Sequence, residues 1–95
     1  MTARLRLRLF VAGSSPNSMR SLANLRAMLA PYEGEYDLEV IDVLASPERA
    51  EAEDILVTPT LLKITPAPIR QIVGSLSDRS RVLDVLGFGE AAARA

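Results

Sequence analysis

Side-chain chemistry in a short chain usually rests on cysteine, histidine or clustered carboxylates, and this sequence has neither cysteine nor histidine. Without cysteine there is no thiolate nucleophile, no disulfide framework and no sulfur ligand for a metal. Without histidine the commonest general base and transition-metal ligand are gone, and a Ser-His-Asp triad is impossible. What remains is the run Gly13-Ser14-Ser15-Pro16-Asn17-Ser18. Ser15 can cap a helix that has Pro16 at its first position. The N-terminus of such a helix can hold an anion, but the lysine of a phosphate-binding loop is missing. The serines therefore read as turn and cap residues, with no catalytic, cofactor-binding or metal-binding assignment.

Charge is the second chemical feature. The formal net charge of −1 hides an asymmetry. Arg4, Arg6, Arg8, Arg20 and Arg26 make the first third basic, whereas nine acids face the single Arg49 between Glu33 and Asp54. Every basic residue except Lys63 is arginine, which suits bidentate contacts with carboxylates. Such segregation fits either an electrostatically steered protein interface or an ordinary solvated surface. Nucleic-acid binding is disfavoured, because the basic residues are dispersed and stacking aromatics are scarce.

These residues need a frame. Ninety-five residues, 48% of them hydrophobic, suit a single domain over 1–95 with a core of Leu, Val and Ile. No apolar run approaches a membrane span, and the start does not separate basic from apolar residues as a signal peptide does; the expected location is cytoplasmic. Leu5 to Val11 alternates and then turns apolar, as a strand does when half exposed and then buried. Met19, Leu22, Leu25, Met28 and Leu29 recur at helical spacing. Asp37 to Leu44 reads as a second strand, so the first half is a βαβ unit with parallel strands. Ser46-Pro47-Glu48 starts a short acidic helix. Ile55 to Lys63 reads as a β-strand interrupted by Pro59, which stands at the mouth of the third strand. Ile69 to Val73 reads as a fourth, and Ser77-Asp78 caps a last helix carrying Val82, Leu83, Val85 and Leu86. Gly87 is a natural stop, and the residues from about 88 to Ala95 read as a frayed tail.

The resulting order is β-α-β-α-β-β-α. The second half is ambiguous: Ile69, Ile72 and Val73 suit a helix face as well as a strand, and Val82 to Leu86 is short and valine-rich enough for a strand.

The order, with Thr58-Pro59 directly before the third strand, is similar to the thioredoxin-like fold, in which that proline is cis. Thioredoxin-like enzymes carry a redox or glutathione-activating residue where Ser14 and Ser15 stand. A glutathione-binding enzyme is thus a remote alternative, weakened by the missing cysteine and histidine.

The resemblance narrows further. Phe10-Val11-Ala12-Gly13, Ser15-Pro16-Asn17-Ser18, Val40-Ile41-Asp42-Val43, Thr58-Pro59-Thr60-Leu61, Pro66-Ala67-Pro68-Ile69-Arg70 and Gly74-Ser75-Leu76-Ser77 resemble, in order, the KaiB family of circadian clock proteins. The resemblance implies a non-enzymatic module, without a cofactor, that binds a KaiC-type ATPase and modulates its phosphorylation cycle. It also implies KaiA, or a histidine kinase with a thioredoxin-like domain, as further partners. The family is metamorphic. A monomeric thioredoxin-like state alternates with a βαββααβ state, often tetrameric, in which residues from about 47 onward are refolded. Pro59, Pro66, Pro68, Val85 and Gly87 are the fold-switch candidates; Val85 favours the thioredoxin-like state because glycine there is costly in a helix, and Gly87 points the other way.

By position, Arg20, Asp37, Glu39 and Lys63 are the partner-contact candidates. Each reads equally well as a solvated charge. Glu39 stands where family members usually carry lysine, which implies either a lost contact or a partner with compensating charge. That departure keeps open a paralogue in signalling or stress response that docks on a histidine kinase. Asp42 is expected to be buried, where it would cap or position backbone groups.

Overall fold

In the computed structural model, which describes residues 5–88, the Leu-Arg alternation becomes strand β1, Leu5–Val11. Successive strand side chains leave opposite faces. Leu5, Leu7 and Leu9 are therefore buried on one face, while Arg6 is exposed and Arg8 half-buried on the other. Phe10 and Val11 are buried on opposite faces, so the strand ends covered on both sides.

Helix α1, Pro16–Leu29, follows and tightens into a 3₁₀ turn over Ala30–Tyr32. Then come β2, Tyr36–Asp42; α2, Pro47–Ala52; β3, Thr60–Thr65; β4, Arg70–Val73; and α3, Arg79–Leu86. This is the β-α-β-α-β-β-α order expected from the sequence, and the thioredoxin-like arrangement rather than βαββααβ. The sheet order is β2-β1-β3-β4, with β2 parallel to β1 and both later pairings antiparallel. Parallel neighbours need a crossover, and α1 supplies it. The bonds Thr58–Pro59, Thr65–Pro66 and Ala67–Pro68 are all cis.

The two faces of the sheet are covered unequally. On one face α1 and α3 pack Leu25, Met28, Leu29, Val82 and Leu86 over the leucines of β1, with Leu61 and Ile72 beneath. On the other, α2 offers Ala50 to Phe10, Ile41 and Leu62. A stacked Tyr32–Phe88 ring pair, centroids 4.0 Å apart, ties the end of α3 to the 3₁₀ turn.

Several local expectations are corrected. Met19, read as part of the buried stripe of α1, is 50% exposed; Ser18 and Ser21 face the sheet instead. Neither Ser15 nor Ser46 makes a side-chain cap bond. Ser15 instead donates its hydroxyl to Ser18 Oγ at 2.8 Å, which in turn accepts from the Ala12 amide at 3.0 Å. Strand β2 stops at Asp42 rather than Leu44, and that aspartate is half-buried rather than buried. The Asp78 cap holds, accepting from the Arg81 amide at 3.2 Å. Gly87 ends α3 with φ 91°, its amide donating back into the helix. Of the tail expected from about 88, Phe88 is held by its stack on Tyr32, and residues 89–95 lie outside the described residues.

Candidate partner-binding surfaces

The strand directions gather the loops that follow β1 and β2, the one that precedes β3 and the one that follows β4 at one end of the sheet, and leave the Pro66-Ala67-Pro68-Ile69-Arg70 block at the other. Parallel β1 and β2 both leave there, antiparallel β3 enters there, and β4 returns to it with Val73 opposite Thr60. In sheets with parallel strands, binding sites favour the carboxyl ends of those strands. Asp42 organises this end. Its Oδ1 accepts from the Gly13 amide and from the Leu44 amide, each at 2.9 Å. The Gly13 hydrogen bond, then the Leu44 one, hold its carboxyl below the ordinary aspartate range. Gly13 is needed where it stands: its φ is +54°, and a Cβ there would meet Leu44 Cδ1 at 3.2 Å. On the β3 side, Thr60 Oγ1 donates to Val57 O at 2.7 Å, and the Gly74 amide donates to Pro59 O at 3.0 Å.

This fixed backbone presents apolar side chains to solvent. Leu56 is 91% exposed and Leu44 72%, with Val57 and Val73 also exposed. Large apolar side chains left exposed near one another are a feature of interaction sites. The serine run agrees with that reading. Ser15 and Ser18 bond to each other and to backbone, with no base beside either. Among the described residues no cluster of metal-ligating side chains occurs. No described helix is long and apolar enough to cross a membrane.

The sequence-predicted contact residues are not brought together. Arg20 is exposed on α1 and Asp37 is exposed on β2, in register with Arg6 of β1. Lys63 is 6% exposed and is no free surface charge; its Nζ donates to Pro66 O at 2.8 Å. Glu39 meets its compensating charges within the chain. Arg49 of α2 reaches it with both Nη atoms at 3.0 Å, and Arg8, its register partner on β1, lies 3.3 Å away through Nε. The Arg49 hydrogen bonds foremost hold Glu39 below the ordinary glutamate range, and the same pairing raises Arg49. Of the fold-switch candidates, Pro59 is buried, Pro66 and Pro68 lie in the exposed β3–β4 connection, and Val85 packs partly buried against the main core.

Sequence reasoning did not single out Leu44, Leu56 and Val57, whose exposure depends on which loops the topology leaves bare. It also missed Arg8 and Arg49 as partners of Glu39. The alternation Arg6-Leu7-Arg8 against Asp37-Leu38-Glu39 was the available signal, since parallel pairing sets those charges opposite each other.

Known proteins share both sequence and shape with this arrangement. The KaiB domain family matches residues 8–88. The circadian clock oscillator protein KaiB of Prochlorococcus marinus (strain MIT 9313) is 59% identical over 78 residues, covering 81% of this chain and 66% of that protein. The same-named protein of Nostoc punctiforme is 58% identical, over 81% of this chain and 75% of its own length. In solved structures, the N-terminal domain of Synechococcus elongatus SasA matches with a TM-score of 0.72 at 27% identity, covering 93% of this chain and 85% of that domain. Mitochondrial thioredoxin 3 from Saccharomyces cerevisiae matches with a TM-score of 0.73 at 15% identity, covering 88% of this chain and 77% of its own; it shares the fold alone. With the KaiB domain matched from within β1 to just past α3, and relatives of that name 58–59% identical over 81% of its length, the chain belongs to the KaiB family.

Proposed function

We propose that this protein is a non-enzymatic clock-type regulator that binds a KaiC-type ATPase and modulates its phosphorylation cycle in the thioredoxin-like state. The observation that carries this reading is the family match over residues 8–88. The apolar sheet end around Leu44, Leu56 and Val57 supports it as a docking surface, with Arg20 and Asp37 as exposed charges able to steer the approach. The chain spans 66% of the Prochlorococcus relative's length, so the ATPase is inferred from kinship.

KaiA, or a histidine kinase bearing a thioredoxin-like domain, belongs to the same proposal as a further partner. The likeness to the SasA domain supports competition for one surface. Because Glu39 is neutralised by Arg8 and Arg49, its reversed charge gives no ground for assigning the chain to a different partner. The proposal includes the second, βαββααβ packing and its tetramer, with Val85 and Gly87 as levers on α3. Two packings of one sequence need differ by only a few kcal/mol to exchange.

The test is co-elution of the purified protein with a KaiC-type ATPase from the same genome, with and without Leu56→Asp. Binding by the parent and loss in the variant supports the proposal. No complex with correctly folded parent protein overturns it.

A further inference from the structure

The segment that covers the second face of the sheet has few apolar anchors: Ala50 is buried there, and Ile55 packs partly buried against the same cluster. Helix α2 has six residues and buries only Ala50. An isolated helix that short has no stability of its own, and one buried methyl with a partly buried isoleucine supplies only modest apolar anchorage. Beneath it lie Phe10, Ile41 and Leu62 at 0%, 4% and 8% exposure. A chain of alternating charges supplies the anchor. Arg49 on α2 grips Glu39 on β2 with two bonds of 3.0 Å. Glu39 lies 3.3 Å from Arg8 on β1, and Arg8 Nη1 lies 2.6 Å from Glu53, just past the end of α2. Both ends of the covering segment are thus fastened to the two strands below. Directly after Glu53, Asp54 has φ 55°, a conformation that non-glycine residues adopt sparingly. The other charges nearby, Arg6 and Asp37 on the strands and Glu48, Glu51 and Asp54 on the segment, are all exposed.

We propose that segment 47–55 is a salt-sensitive strap. The chain Arg49–Glu39–Arg8–Glu53 holds it over the apolar face, and weakening that chain lifts the strap and bares Phe10, Ile41 and Leu62 while the rest of the fold stands. The selectivity follows from how the two faces are held. Partly exposed ion pairs are screened by salt, whereas the face under α1 and α3 is held by apolar burial, which added salt does not weaken in this way. Ionic strength therefore loosens one face only.

Amide hydrogen exchange on the intact chain tests this directly. The reporters are the Glu53, Asp54 and Ile55 amides, which close the end of α2. Raising sodium chloride to about 0.5 M, where the Debye length is under about 5 Å, speeds their exchange roughly three- to tenfold and leaves β1 and α1 amides unchanged. Glu39→Lys does the same at low salt and reduces the salt response, leaving the Arg8–Glu53 pair as the remaining screened link. Adding Arg49→Glu to that variant restores part of the protection. Reporter amides unmoved by salt and by Glu39→Lys overturn the strap, as does uniform acceleration across the whole chain. If Glu39→Lys does not fold, the salt titration of the parent protein decides alone.

Discussion

Asp42 shows how a single carboxylate fixes the end of the sheet that carries the exposed apolar residues. One of its oxygens serves the Gly13 and Leu44 amides together, tying the turn after β1 to the turn after β2. Asp42→Ala should lower the thermal midpoint and speed exchange at both amides, whereas Asp42→Asn keeps an acceptor and does less; thermal melts with exchange data read both. Ser21 is the opposite case. Its Oγ is fully buried with no protein partner, and a buried unpaired hydroxyl costs rather than contributes. Ser21→Ala should leave stability unchanged or raise it by up to about 1 kcal/mol in denaturant melts; a clear loss would reveal a bonded hydroxyl. Acid acts on the carboxylates. Glu39 and Asp42 are both held below their ordinary ranges. Their folded forms bind protons less readily than the unfolded chain, so their stabilisation is present above the unfolded pKa and fades as pH falls through the folded one. Stability should therefore drop below about pH 4, and the Glu39 share should shrink in salt while the hydrogen-bonded Asp42 share persists. Melts across pH at two salt concentrations separate them. At this scale a backbone role for Asp42 was legible, but its place at a strand end was not, because the apolar Val43 and Leu44 extend the strand pattern past it. The inward turn of Ser18 and Ser21 was not, because a helical wheel favours Met19 and cannot weigh the bond from Ala12 to Ser18.

Among the elements, α3 shows most clearly why half of the fold was readable and half was not. Val82 to Leu86 fits a strand or a helix by pattern, and Ile69, Ile72 and Val73 fit both periods. Tertiary pairing decides. Once β3 lies against β1, β4 pairs with it from Thr60–Val73 to Lys63–Arg70, which leaves α3 to close the core with Val82 and Leu86. The βαβ half needed no such help, because its alternation and its 3.6-residue spacing are each unambiguous. Val85 packs partly buried on this helix. Val85→Gly loses that packing and adds backbone freedom, and should cost about 2 kcal/mol in denaturant unfolding. A cost near zero would show that α3 contributes little to this packing.

At the scale of the whole molecule, the two faces of one sheet are held by different forces and its one end is apolar and bare. The charge asymmetry of the sequence was visible, but its purpose was not: Glu39 was read as a charge awaiting a partner, and the fold supplies Arg8 and Arg49 instead. The exposed rim of Leu44, Leu56 and Val57 became visible only when the topology brought two separate loops to one end. The proposed docking of this end on a KaiC-type ATPase underlies the whole functional reading. Sedimentation of the labelled protein with such an ATPase tests it most directly. The account predicts a saturable complex that the SasA N-terminal domain displaces and that Leu56→Asp abolishes. Free sedimentation at every ATPase concentration, with strands Thr60–Thr65 and Arg70–Val73 and helix Arg79–Leu86 intact in solution, would contradict it.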